Sequence, residues 1–227
     1  KQSVFSGPGA KRVITIPDLG GDGRAELALV GRYQMQFSVL DSQSDLANGK
    51  LDYLASHVMP GYSCGNNELP MYYDGAVVRD AQDRWLGVVV LNPGAIIYYK
   101  APELSPAWHH FNHPPNTCSA LADLDDDGVP EVLVGRGDGF LTQYAVADGK
   151  VMGKRFVGDK VRALVTLGDQ LVVGAARGIV LLDQKLQIVG YRAGAISSLA
   201  VLEGSAPASQ VLAAALATGD ILGLQTR

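Results

Sequence analysis

Residues 123–131 read Asp-Leu-Asp-Asp-Asp-Gly-Val-Pro-Glu and run directly into Val-Leu-Val-Gly-Arg at 132–136. Asp123, Asp125 and Asp127 occupy loop positions one, three and five. Gly128 makes the sharp turn at six, the Val129 carbonyl is available at seven, and Glu131 closes the loop at nine. Hard oxygen ligands at alternate positions of a tight glycine turn are what a calcium ion requires. An EF-hand would also need a bidentate Glu at position twelve and a helix on each side. Position twelve is Val134, and the flanks SALADL and EVLVGR are β-rich or alternating. The spacing therefore predicts a calcium loop between two strands.

A near copy lies upstream: Asp18-Leu-Gly-Gly-Asp22-Gly-Arg24-Ala-Glu26, followed by LALVGR. Asp18, Asp22 and Glu26 are kept, and Arg24 stands at position seven, where its carbonyl matches that of Val129. Gly20 replaces the acid at position three, so this copy is expected to bind calcium more weakly or not at all. Asp-Gly spellings are also ordinary turn chemistry, because Gly tolerates positive φ and Asp caps its own turn. In the downstream loop five carboxylates fall within nine residues, a density that calls for a cation. In the upstream loop both readings stay open.

A motif recurring at long spacing implies a repeat architecture. Strand signals with Gly, Asp and Asn turns between them fall into five units, roughly 11–58, 72–113, 117–158, 161–193 and 195–227, and no stretch carries a convincing helical period. Each of the first four units reads as four short strands, the pattern of a propeller blade. The fifth has three, and residues 1–7, Lys-Gln-Ser-Val-Phe-Ser-Gly, are a candidate fourth that would close the ring. The expected fold is all-β: one β-propeller domain over 1–227 built of four-stranded antiparallel blades, either five-bladed or part of a larger ring. The small, apolar runs SALADL, RALVTL and SSLAVL are expected as inner strands.

Both loops, with their trailing LALVGR and VLVGR, resemble the FG-GAP (VCBS-like) repeats of integrin α-subunit propellers and many bacterial surface proteins. The family pattern is Asp-x-Asp/Asn-x-Asp-Gly-x-x-Asp/Glu; residues 123–131 fit it throughout, and residues 18–26 depart at Gly20. The segments GFLTQYAVADGKVMGK and GIVLLDQKLQIVG are more similar to quinoprotein-type propeller repeats. The resemblance implies a calcium-stabilised propeller, extracellular, on a cell surface or periplasmic, that binds a protein or a glycan as an adhesion or recognition module. Some relatives of these repeats are polysaccharide lyases or hydrolases, and an incomplete ring could also be a structural subunit of a larger assembly. No catalytic set of acid, base and cation residues is legible in the chain.

Composition narrows the rest. The formal net charge is −4 and the basic residues are scattered, which argues against nucleic acid. The longest apolar runs are broken by Pro, Gly or Asp before the roughly 20 residues that a membrane-spanning helix needs. Cys64 and Cys118 are the only cysteines, and in a calcium-rich, disulfide-permissive compartment they are expected to pair. The start at Lys1, with no leader pattern after it, fits a processed or trimmed chain.

Three spellings point elsewhere. Gly61-Tyr62-Ser63-Cys64-Gly65 matches a nucleophile elbow but lacks the flanking strand and helix. Alternation over Trp108 to His113 places His109, Phe111 and His113 on one face and Trp108 and His110 on the other, expected as an outer strand rather than a metal site. Arg136-Gly137-Asp138 is an adhesion tripeptide by spelling and turn chemistry by context. Tyr62, Tyr72, Tyr73, Trp85, Tyr98, Tyr99 and Trp108 cluster in the second unit and are expected to offer an exposed aromatic surface to a partner or sugar, part of it packed between blades.

Overall fold

The structure, a computed structural model, describes residues 12–30, 36–44, 48, 52–58, 74–92, 94–111, 114–167, 170–203, 210–216, 218 and 220–225. It divides into two compact units, Lys1–Asn112 and His113–Arg227. Every regular element among the described residues is a strand, and no helix there is long and apolar enough to cross a membrane.

The first unit holds two four-stranded antiparallel meanders. One is β1 (Arg12–Ile16), β2 (Glu26–Val30), β3 (Gln36–Leu40) and β4 (Tyr53–Val58); the other is β5 (Asp74–Arg79), β6 (Trp85–Asn92), β7 (Ala95–Lys100) and β8 (Ser105–Phe111). Their facing side chains make one core. Ile16, Val30, Phe37 and Val39 of the first sheet meet Val88, Val90, Ile97 and Tyr99 of the second, each burial contributing about 1.5–3 kcal/mol for an aliphatic or Phe side chain.

The second unit holds three sheets. They are β9 (Asn116–Ala122), β10 (Glu131–Arg136), β11 (Phe140–Tyr144) and β12 (Val151–Phe156); β13 (Val161–Leu167), β14 (Gln170–Ala175), β15 (Gly178–Leu182) and β16 (Ile188–Ala193); and β17 (Ile196–Glu203), β18 (Gln210–Leu216) and β19 (Ile221–Gln225). The runs SALADL, RALVTL and SSLAVL do form first strands, and these strands neighbour one another, β9 against β13 and β13 against β17. The second strands β10 and β14 are covered on both faces and are apolar over 132–135 and 171–175, while the fourth strands β12 and β16 are largely exposed.

The sheets pack at glycine. A Cβ on Gly135 of β10 would lie 2.4 Å from Val161 Cγ1 and 2.6 Å from Cys118 Sγ; on Gly174 of β14 it would lie 2.9 Å from Ile196 Cγ2. The Val-Gly near the end of β10 and of β14 thus lets the first strand of the following sheet approach the backbone.

Burial overturns the expected aromatic surface. Tyr98 is 3% exposed, Tyr99 1% and Trp108 8%; the Tyr98 and Trp108 rings meet at a tilt of 31° with centroids 5.7 Å apart, and burial pushes both tyrosine hydroxyls up to about 12. Trp85 is partly buried, its indole N–H donating to the Gly87 carbonyl. Tyr98 and Tyr99 face the interior because β7 is covered on both faces. Tyr62, Tyr72 and Tyr73 lie outside the described residues.

Candidate metal centre

The Asp123–Glu131 loop is the connection from β9 to β10. Backbone hydrogen bonds shape it: Gly128 N–H donates to Asp123 Oδ2 (2.9 Å), Asp127 N–H to Asp125 Oδ1 (3.3 Å) and Val129 N–H to Asp127 Oδ1 (2.7 Å). Gly128 has φ 86°, the left-handed geometry expected at position six, and Asp126 has φ 59°. Leu124 N–H donates to Glu131 Oε2 at 2.8 Å.

This arrangement brings Asp123, Asp125, Asp127 and Glu131 together, one carboxylate oxygen from each within 4.8 Å of the others. Oxygens on opposite sides of a calcium ion, each at about 2.3–2.6 Å from it, are separated by that order of distance. Two features fit the set to a cation. Asp123 Oδ1 is buried and finds no hydrogen-bond partner. Glu131 is 3% exposed, and its carboxyl is raised above its usual value by burial, then by the charges of Asp125 and Asp123, against the Leu124 N–H and a Gln143 side-chain hydrogen bond. A divalent ion would supply what both groups lack.

The Asp18–Glu26 loop, from β1 to β2, brings Asp18, Asp22 and Glu26 together on the same criterion, but its oxygens are already engaged. Asp18 Oδ1 accepts from Gly21 and Asp22 N–H, Asp18 Oδ2 from Gly23 N–H, and the two Glu26 oxygens accept from Leu19 and Gly20 N–H. Asp22 Oδ2 takes two side-chain donors, Ser42 Oγ at 2.7 Å and Gln43 Nε2 at 2.6 Å, and Oδ1 takes Arg24 N–H. Those donors, Ser42 first and then Gln43, hold the Asp22 carboxyl below its usual value. Every carboxylate oxygen of Asp18, Asp22 and Glu26 accepts a hydrogen bond, whereas Asp123 Oδ1 of the downstream loop accepts none. A groove of about 260 Å³ beside it is lined by Arg24, Leu27, Leu40, Asp41, Ser42 and Ser44.

The secondary spellings fall as follows. Arg136 and Asp138 pair with each other at 3.0 Å, Gly137 N–H donates to Pro115 O and Gly139 N–H to Arg136 O, so the tripeptide is a closed turn between β10 and β11. On β8 Trp108 and His110 share one face and His109 and Phe111 the other, with ring centroids 5.8 and 5.0 Å apart; His113 lies outside the described residues. Cys118 is buried. Cys64, and with it the expected disulfide and the nucleophile-elbow spelling, lies outside the described residues.

Solved structures share the architecture. BamB from Moraxella catarrhalis superposes with a TM-score of 0.64 at 19% identity, over 92% of this chain and 57% of that one. BBS1N, crystallised in complex with ARL6DN, gives 0.60 at 15% identity over 93% of this chain and 78% of that one. Sqt1 from Chaetomium thermophilum gives 0.60 at 18% over 87% and 52%. The fold is a β-propeller. The chain spans little more than half the length of BamB and of Sqt1. No family model matches it, and no curated protein does.

Sequence reasoning missed the Ser42 and Gln43 donors, Gln143 beside Glu131, and Gln184, whose amide lies 3.5 Å from Asp126 Oδ2. None of them belongs to a local motif, and only the sheet brings them to the loops.

Proposed function

We propose that this chain is a calcium-stabilised propeller of the FG-GAP (VCBS-like) type that binds another protein outside the cytoplasm, as an adhesion or recognition module. The convergence of Asp123, Asp125, Asp127 and Glu131 around a buried, unpartnered Asp123 oxygen carries the reading. Calcium there is structural: it offsets four carboxylates and fixes the β9–β10 connection, with the Val129 carbonyl as a further ligand. The Asp18 loop, whose Asp22 already takes Ser42 and Gln43, binds calcium weakly at most.

A protein partner is favoured over a glycan because Tyr98, Tyr99 and Trp108 of the second sheet are interior, whereas β12 and β16 present Val151, Met152, Phe156, Ile188, Val189 and Tyr191 to solvent, each about half exposed. BBS1N, similar in fold, is seen in complex with a protein.

Thermal melting in chelator and in millimolar calcium tests the metal. At a hundredfold excess over the dissociation constant, calcium contributes about 2.7 kcal/mol, and Asp125→Ala removes the shift. An unchanged melting temperature for the wild type sinks the reading. Co-purification from the native host, lost in Val189→Lys/Tyr191→Lys, tests the partner face.

A further inference from the structure

The loop from β9 to β10 touches the next sheet. The connection from β15 to β16, Asp183 to Gln187, is a tight turn in which Leu186 N–H donates to Asp183 O, and Lys185 and Gln187 N–H donate to Asp183 Oδ1. It forces Leu186 to φ 57°, a left-handed conformation that a leucine rarely adopts. The third sheet holds it there. The Leu186 carbonyl accepts from Arg155 Nε of β12, its Cδ1 lies over Gly153, 3.0 Å from where a Cβ would stand, and its side chain is 4% exposed in one cluster with Leu124 of the acidic loop. Gln184 Nε2 lies 3.5 Å from Asp126 Oδ2, on the one Asp of the loop outside the ligand positions.

We infer that the cation state of the Asp123–Glu131 loop governs the docking of the β15–β16 turn on the third sheet, through Leu124 and Asp126. The inference rests on the calcium reading above. Without the ion, the carboxylates of Asp123, Asp125, Asp127 and Glu131 repel one another. As the loop opens, Asp126 moves away from Gln184 and Leu124 leaves the cluster it shares with Leu186, so the left-handed Leu186 keeps less of the packing that offsets its backbone strain. With the ion bound, loop and turn close as one unit, and calcium fixes the junction between two blades as well as one loop.

Hydrogen exchange on the whole chain, with calcium or chelator as the only variable, decides it. An opening that releases the ion is suppressed about a hundredfold at a hundred times the dissociation constant. Amides of residues 124–129 and of 185–187 should therefore slow together, and those of the comparable Asp80–Arg84 turn should not respond. If 124–129 slow and 185–187 do not, the inference fails while the calcium site stands. If neither responds and no calcium binding is measured by titration calorimetry, the site itself is wrong and the inference goes with it. Asp126→Ala should keep the loop response and lose most of the turn response; an undiminished turn response overturns the role given to Asp126.

Discussion

Placing one methyl group on Gly135 tests the packing of the third and fourth sheets directly. An alanine Cβ there would stand 2.4 Å from Val161 Cγ1 and 2.6 Å from Cys118 Sγ, and Val161 is 0% exposed, so neither neighbour has open space to move into. Overpacking of this kind costs about 1–3 kcal/mol. Gly→Ala also removes unfolded-state entropy, which opposes the loss by about 0.4–1 kcal/mol. The net is a destabilisation on the order of 1–2 kcal/mol, or a fall in melting temperature of about 2–8 °C for a chain of this size. Circular dichroism melting of Gly135→Ala should show that fall. Gly223→Ala, where a Cβ meets nothing within 4 Å, should be near neutral. In the double variant Gly135→Ala/Val161→Ala the losses should be less than additive, because the second change clears the space the first fills. A Gly135→Ala protein as stable as the wild type, or strictly additive losses, would refute the close approach of the two sheets.

Glu131→Gln should change sign with the metal: in chelator it is neutral or stabilising, because it removes a buried charge, and in millimolar calcium it lowers the melting temperature by removing a ligand. Because burial and the Asp125 and Asp123 charges raise the Glu131 carboxyl, the calcium-free wild type binds more protons folded than unfolded between its ordinary and folded values. Its stability should rise as pH falls through that window, and a wild-type minus Glu131→Gln difference independent of pH would contradict this. Asp80 is the opposite case: burial pushes its carboxyl up, but Arg84 through its N–H and guanidinium, with the Gln82 N–H, lowers it overall. Asp80→Asn should therefore destabilise at neutral pH and converge with the wild type as pH falls below the ordinary carboxylate range; a gap that persists in acid would exclude this charge effect. Asp22→Ala should loosen the β3–β4 turn, seen as faster exchange at Gln43 and Ser44, while leaving the calcium-induced melting shift intact.

The loop was legible because its chemistry is local. Asp123 to Glu131 lie within nine consecutive residues, and their spacing alone places the carboxylates together. The second strands β10 and β14 were legible too, since VLVG and LVVGA are continuous apolar runs, as suits strands covered on both faces. The donors that separate the two acidic loops were not. Ser42 and Gln43 lie 20 and 21 residues from Asp22, and Gln184 lies 58 from Asp126, brought close only by sheet pairing or sheet stacking. The aromatics misled for a related reason. Tyr98 and Tyr99 point to opposite faces of β7, and alternation would expose one of them had β7 not been covered on both sides.

The glycine contacts also bear on how such a chain can be recombined. At Gly135 and Gly174 the bare backbone of one sheet receives the first strand of the following sheet, so the complementary surfaces belong to neighbouring repeats and not to either alone. A graft that moves a single repeat between proteins separates each cleft from the side chain fitted to it, at both ends. A graft cut in the middle of a sheet, carrying β10 together with β13 or β14 together with β17, keeps the fitted pair. The natural module of exchange in this chain is thus the seam, offset by half a repeat from the blade.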